Sequence, residues 1–164
     1  PDSSLSAAVG YAEGSGLPYE TGLIRNRYLG RTFIRPSQQQ RDQGVSLKLN
    51  PIEGVVAGKR VVLVDDSLVR GTTSKRIVTM LREAGAREVH LRIASPPVRH
   101  ACGLGIDTRD DLIGARMDVE QIRQYIDADS LIFLSEENTI AATGLGIGHV
   151  CTGCFSNNHP VRRS

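Results

Sequence analysis

The sequence predicts an α/β fold built on a parallel sheet, and three observations in one stretch carry that reading. Residues 60–65, RVVLVD, form a continuous β-branched apolar run, the pattern of a strand buried on both faces. Ile77, Met80, Leu81 and Ala84 follow at i, i+3, i+4 and i+7, the stripe of an amphipathic helix. Residues 88–93 then read as a second strand after a two-residue link, a length typical of αβ units. A strand, a helix and a strand in this order make a right-handed crossover between parallel neighbours.

Composition fits one such domain. The chain has 164 residues, 40% hydrophobic and 23% charged, enough to bury a core and to exclude a disordered tail, a collagen-like repeat or a disulfide mini-protein. No apolar run approaches the roughly 18–20 residues that span a bilayer, so no membrane role is expected. Lys and Arg number 20 against 18 Asp and Glu, a net charge of +2, too small to point to nucleic acid. There is no Trp and aromatics are 4%, a poor supply for stacking on bases. The start, PDSS, carries neither Met nor a leader pattern, so a cytoplasmic piece of a longer chain is expected.

Taken in order, Leu5, Ala7, Ala8, Val9 and Ala12 give a helix over residues 4–12, with Gly14 and Gly16 to end it. Residues 19–24 and 31–34 read as short strands. The arginine-rich stretch 25–50 reads as a long exposed loop or a short helix, and loops of that length are often lids. Thr72 or Thr73 is expected to cap the amphipathic helix and Gly85 to close it. A helix over 118–125 places Val119 and Ile122 inward. Residues 130–134 form a last strand, and Ser135-Glu136-Glu137 opens a helix ending at Gly144. The Cys-bearing tail, 146–164, reads as irregular.

Chemistry concentrates in residues 61–73, VVLVDDSLVRGTT. A buried strand delivers Asp65 and Asp66 to its carboxyl end, where open α/β sheets bind ligands. The loop then turns into a helix N-terminus, whose free N–H groups and dipole favour an anion. Gly71 allows close backbone approach, and Ser67, Thr72 and Thr73 add hydroxyl donors. Two carboxylates beside a phosphate repel it unless they hold a divalent cation or sugar hydroxyls. The implied ligand is a phosphorylated sugar with Mg²⁺. An ordinary strand-to-helix turn explains one Asp and one Thr, not the whole set. The patterns of the Walker A loop and the Rossmann fingerprint are both absent.

This loop resembles the 5-phosphoribosyl-1-pyrophosphate (PRPP) motif of the type I phosphoribosyltransferases. GLIRNRYLGRTFI at 22–34, RPSQ at 35–38, VSLKLNP at 45–51 and MLREAGAREVHLRIASPP at 80–97 narrow the likeness. They resemble the glutamine PRPP amidotransferase (amidophosphoribosyltransferase) family over essentially the whole chain. The resemblance implies a type I phosphoribosyltransferase fold over residues 1–164, incomplete at its N-terminus. It implies transfer of the phosphoribosyl group of PRPP to ammonia derived from glutamine, giving 5-phosphoribosylamine and pyrophosphate, the first step of purine synthesis. Residues 1–4 resemble the pyrophosphate loop, with Ser3 and Ser4 as PRPP contacts. Ser3, Asp65 and Asp66 match the positions facing Mg²⁺. Ser67, Val69, Arg70, Gly71, Thr72 and Thr73 match the 5′-phosphate cradle. Arg25, Asn26, Arg27, Tyr28 and Arg31 match the loop that closes over PRPP, with Arg25, Arg27 and Tyr28 in catalytic roles, and Lys48 matches a phosphate or nucleotide contact. Purine nucleotides as feedback inhibitors and a homotetramer are implied by the resemblance alone.

By spacing, Cys151 and Cys154 form a C-x-x-C pair that suits a metal, an iron–sulfur cluster or a redox dithiol, or is a chance pair of small buried residues. The resemblance implies that Cys102, Cys151 and Cys154 are three of four ligands of a [4Fe–4S] cluster, the fourth lying upstream. HACGL at 100–104 departs from the family, which has an aromatic residue after this Cys; His100 and His149 are not assigned as ligands. The family's glutaminase domain has no counterpart in this sequence, nor does the strand leading into residues 1–4. Without that strand, unpaired backbone and an exposed apolar slot are expected. Two other readings of the loop are a PRPP-sensing regulator, for which no helix-turn-helix is visible, and a salvage phosphoribosyltransferase, for which aromatics are few.

Overall fold

The structure, a computed structural model, describes residues 2–25, 49–102 and 111–159. A 3₁₀ turn, Asp2–Ser4, leads into α1, Leu5–Ser15. Two three-residue strands, β1 (Leu23–Arg25) and β2 (Leu49–Pro51), pair antiparallel, with Ile24 opposite Asn50. A one-turn helix, α2 (Glu53–Val56), precedes β3 (Arg60–Asp65). Then come α3 (Thr72–Glu83), β4 (Glu88–Ile93), α4 (Ile113–Arg116), α5 (Val119–Ile126), β5 (Ser130–Phe133) and α6 (Glu136–Ala142). A 3₁₀ turn at Ile147–His149 and a last turn, α7 (Gly153–Ser156), give the tail local structure.

The expected parallel sheet is present. β3, β4 and β5 lie in that order, with Leu63 opposite Leu91 and Leu91 opposite Leu131. The register puts Val61, Leu63, Val89, Leu91, Ile93 and Leu131 on one face. Val89 and Leu91 are fully buried there, in one core cluster with Ile77, Val78 and Leu81 of α3 and Ile122 and Ile126 of α5. Full burial of a Leu or Ile contributes roughly 1.5–3 kcal/mol, so this layer holds the fold together.

Local chemistry sets the element ends. Gly16, in the left-handed region at φ 70°, stops α1, while Gly14 lies inside the helix. Asp118 and Gln121 close a reciprocal capping box on α5: Gln121 N donates to Asp118 Oδ1 at 2.8 Å, and Asp118 N donates to Gln121 Oε1 at 3.0 Å. Ser135 caps α6 by accepting from Asn138 N at 3.1 Å. Asp129 Oδ2 accepts from Val89 N at 2.6 Å and from Arg82 at 3.0 Å, tying the start of β4 to α3 and to the approach to β5.

Several expectations are corrected. Burial of β3 on both faces fails: none of its residues is fully buried. Among the described residues it pairs with β4 alone, and its other side faces a cleft of about 570 Å³ lined by Leu5, Ala8, Tyr11 and Ala12 of α1. The second face of the sheet is partly polar: His90 bonds Ser130 Oγ at 2.9 Å and Glu88 at 3.0 Å, Val62 and Val64 are half-buried, and Ile132 is exposed. Val119 points outward at 39% exposure, because the buried stripe of α5 is Ile122 and Ile126 and Val119 sits in the solvent-facing first turn. Neither Thr72 nor Thr73 caps α3; the N-cap is Gly71. Only Leu23–Arg25 of stretch 19–24 is a strand. The expected strand at 31–34 lies outside the described residues.

Candidate active site

The carboxyl end of β3 gathers the residues that the sequence singles out. Ser4, 4% exposed at the end of its 3₁₀ turn, donates Oγ–H to Asp65 Oδ1 at 3.0 Å. The N-terminal turn is thereby fixed against the strand end, 61 residues away in sequence. Asp66 N also donates to Asp65 Oδ1, at 3.1 Å. Burial pushes the Asp65 carboxyl above the usual carboxylate range; the Ser4 bond opposes this and the charge of Asp66 adds to it. Asp66 is exposed, and its Oδ1 accepts from Ser67 N at 2.7 Å and Ser67 Oγ at 3.3 Å. Ser3 is exposed one residue from Ser4.

The loop beyond Asp66 is anchored from beneath. Leu68 is 2% exposed and inserts into the core, and Val69 O accepts from Ile113 N at 2.9 Å. Ser67 and Arg70 are exposed on the loop, and Thr72 and Thr73 begin α3. No side chain caps the first turn of α3, so its N–H groups keep their capacity for an anion. Lys75 brings a cation to the same turn, its Nζ 4.6 Å from the centroid of the Tyr125 ring.

Gly71 is also constrained from within the protein. It has φ 77°, and a Cβ there would meet Ile113 Cδ1 at 3.0 Å and Tyr125 Cε1 at 3.2 Å. Its missing side chain makes room for Ile113 and Tyr125. Ile113 and Tyr125 are the residues that the sequence did not reveal here. They lie far along the chain, and only the need for a left-handed Gly hints at a close neighbour.

Hard oxygen donors suit Mg²⁺ at this strand end: two adjacent carboxylates, each with one oxygen outside the bonds described, and a nearby hydroxyl. Mg²⁺ takes one or two protein carboxylates and fills its octahedron with phosphate oxygens and water, so the pair is sufficient. Arg25, exposed at the end of β1, lines the cleft together with Ser4. Asn26, Arg27, Tyr28, Arg31 and Lys48 lie outside the described residues.

The cysteines belong to a second neighbourhood. Arg99 N and His100 N both donate to Cys154 O, at 2.9 and 3.0 Å, which draws the segment before Cys102 to the tail. Burial pushes the Cys154 thiol up, and the nearby Cys102 and Cys151 add to this. All three are free thiols. Among the described residues, however, no group of three or more Cys, His, Asp or Glu stands together as a metal-ligand set. No helix among them is long and apolar enough to cross a membrane.

Comparison with known proteins bears on the same residues. The phosphoribosyl transferase domain family matches residues 13–96. The amidophosphoribosyltransferase of Synechocystis is 55% identical over 98% of this chain and 33% of that protein. The amidophosphoribosyltransferase of Bacillus subtilis is 58% identical over 98% of this chain and 35% of that protein. The chain thus spans about a third of the length of these curated relatives. A solved structure, glutamine PRPP amidotransferase from B. subtilis complexed with ADP and GMP, superposes with a TM-score of 0.86 at 57% identity, covering 98% of this chain and 36% of that one. The fold likeness extends through the parallel sheet and the loop at its carboxyl end.

Proposed function

Because the chain belongs to the phosphoribosyl transferase domain family, we propose that it is the PRPP-binding part of an amidophosphoribosyltransferase, a pentosyltransferase that joins ammonia to the anomeric carbon of PRPP and releases pyrophosphate. The observation that carries this reading is the junction of Ser4, Asp65 and Asp66 with an uncapped helix N-terminus. Ser67, Val69, Arg70, Gly71, Thr72 and Thr73 would hold the 5′-phosphate through backbone N–H and hydroxyl donors. Asp65 and Asp66 would hold Mg²⁺ or accept from the ribose hydroxyls, and Ser3 and Ser4 would face the pyrophosphate. Held by Asp65 and Asp66, Mg²⁺ would supply positive charge to offset that of the phosphates. The residues keep the ribose fixed while positive charge grows at its anomeric carbon, and electrostatic preorganisation supplies much of the rate. Arg25, Arg27, Tyr28 and Arg31 would close over the substrate and exclude water, which would otherwise hydrolyse it. Lys48 would add a phosphate contact.

The rest of the reading concerns the whole protein. A glutaminase domain upstream would supply ammonia, and a preceding strand would lie in the cleft beside β3. Cys102, Cys151 and Cys154 would be thiolate ligands of a [4Fe–4S] cluster; the bonds from Arg99 N and His100 N to Cys154 O, which draw the Cys102 segment to the tail, support this, and no step of the reaction depends on it. Anaerobic reconstitution with iron and sulfide tests it, since a bound cluster adds a broad visible absorption. Purine nucleotides would act as feedback inhibitors and the enzyme would be a cytoplasmic homotetramer. The B. subtilis protein's complex with ADP and GMP favours the nucleotides.

Calorimetric titration with PRPP, with and without Mg²⁺, tests the central claim. Binding that needs Mg²⁺ and is lost in Asp65→Asn/Asp66→Asn is expected. A folded native protein that ignores PRPP overturns the reading. Product formed from PRPP and ammonia separates this enzyme from a PRPP-sensing regulator or a salvage transferase.

A further inference from the structure

The floor of the phosphate loop is built by residues that no sequence motif marks. Gly71, the pivot between loop and helix, is buried, and its Cβ position is closed by Ile113 Cδ1 at 3.0 Å and by Tyr125 Cε1 and Cδ1 at 3.2 and 3.5 Å. The edge of the Tyr125 ring therefore supports the backbone at the point where the N–H groups of α3 begin. The face of the same ring takes Lys75 Nζ at 4.6 Å, one turn further on. Ile113 adds a third tie, donating its N–H to Val69 O at 2.9 Å. One aromatic side chain on α5 thus touches both the pivot and Lys75 of the first turn of α3.

We propose that Tyr125, backed by Ile113, is a positioning residue that sets the height of the loop against the 5′-phosphate and holds the Lys75 ammonium at the first turn of α3. The inference rests on the reading of residues 67–73 as the phosphate cradle, and deepens it. Two consequences follow from the geometry. The support acts on the phosphate end of PRPP and not on the pyrophosphate end, which the turn at Ser4 and the two carboxylates serve. It also depends on the ring and not on the hydroxyl, because edge and face make the contacts.

The experiment compares affinity for ribose 5-phosphate with affinity for Mg²⁺-pyrophosphate in the native protein, Tyr125→Phe and Tyr125→Leu, each shown to be folded by circular dichroism and a cooperative melt. Tyr125→Leu is expected to lose about tenfold in ribose 5-phosphate affinity, from a displaced loop and a released cation, with pyrophosphate affinity within about twofold of native. Tyr125→Phe is expected to bind both ligands as the native protein does. In turnover, KM for PRPP should rise for Tyr125→Leu with kcat held, the pattern of lost uniform binding. Unchanged ribose 5-phosphate affinity in folded Tyr125→Leu overturns the proposal, as does an equal loss for both ligands, which would mean general loosening. If Tyr125→Leu does not fold, Ile113→Val carries the test, since it removes only the Cδ1 that touches Gly71; a selective loss of about threefold is expected and none would overturn. A native protein that binds neither ligand refutes the PRPP reading itself and is distinguished by that control.

Discussion

β3 and β4 are neighbours of equal length, six residues each, paired in parallel register, yet they live in different surroundings. β4 has a strand on both sides, and Val89, Leu91 and Ile93 alternate with half-exposed residues, the pattern of one sealed face. β3 has the more apolar sequence and no fully buried residue, because one of its edges borders the cleft under α1. Burial is thus a property of what flanks a strand, and an apolar run states only what the strand would tolerate. The candidate site carboxylates hang from the less protected strand. The loop that follows them is held by the better packed half, through Leu68, Ile113 and Tyr125.

The contrast has measurable consequences. The largest concerns the 164-residue chain by itself: with β3 flanked by a cleft, a low urea midpoint and a shallow transition are expected, and a cooperative transition with an ordinary m-value would contradict this. Next, Leu91→Ala in β4 should cost about 2–5 kcal/mol of stability, and Leu63→Ala, its partner in β3, about half as much. Equal losses in urea titrations would break the comparison.

A smaller effect is expected at Asp129, which stitches β4 to α3. The Val89 N–H, before other causes, holds its carboxyl below the usual range. A depressed folded-state pKa means that this stabilisation is present above the unfolded carboxylate range, near 4, and is lost as pH falls through the folded value. Asp129→Asn should therefore be less stable by about 1 kcal/mol at pH 7, and the gap to the native protein should shrink below pH 4. A gap that stays constant with pH would show that the charge is not involved. The smallest stability effect is expected at Asp65. Its carboxyl is pushed up chiefly by burial, so the charged form works against folding above its pKa, a cost that fades as pH falls. Asp65→Asn should melt no lower than native at pH 7 while losing Mg²⁺-dependent PRPP binding, and a marked drop in Tm would instead make Asp65 a structural residue.

Much of this was legible in the sequence, for reasons that also explain the gaps. β3, α3 and β4 announce themselves because six or more residues repeat one period. β1, β2, α2 and α4 are three or four residues long, too short to show any period, and they form only because tertiary neighbours complete them. The Asp65–Asp66 pair and the loop after it were legible because their chemistry is contiguous. Tyr125 was not, because its contact with Gly71 joins two remote segments and an aromatic residue in an amphipathic helix looks like any other core residue. The Ser4–Asp65 bond is similar: residue types hint at it, and only the fold brings the two together.

The side of β3 that faces the cleft also bears on how copies of this chain treat one another. Among the described residues no strand pairs with β3 on the side away from β4, and an edge of that kind is a template for a further strand, which a second copy would also offer. Lys59 and Arg60 put two like charges at its beginning, a deterrent to such pairing, but Val61, Val62, Leu63 and Val64 carry none. In concentrated solution these four residues are where edge-to-edge association would begin, and a single lysine among them is the change that would keep the molecules apart.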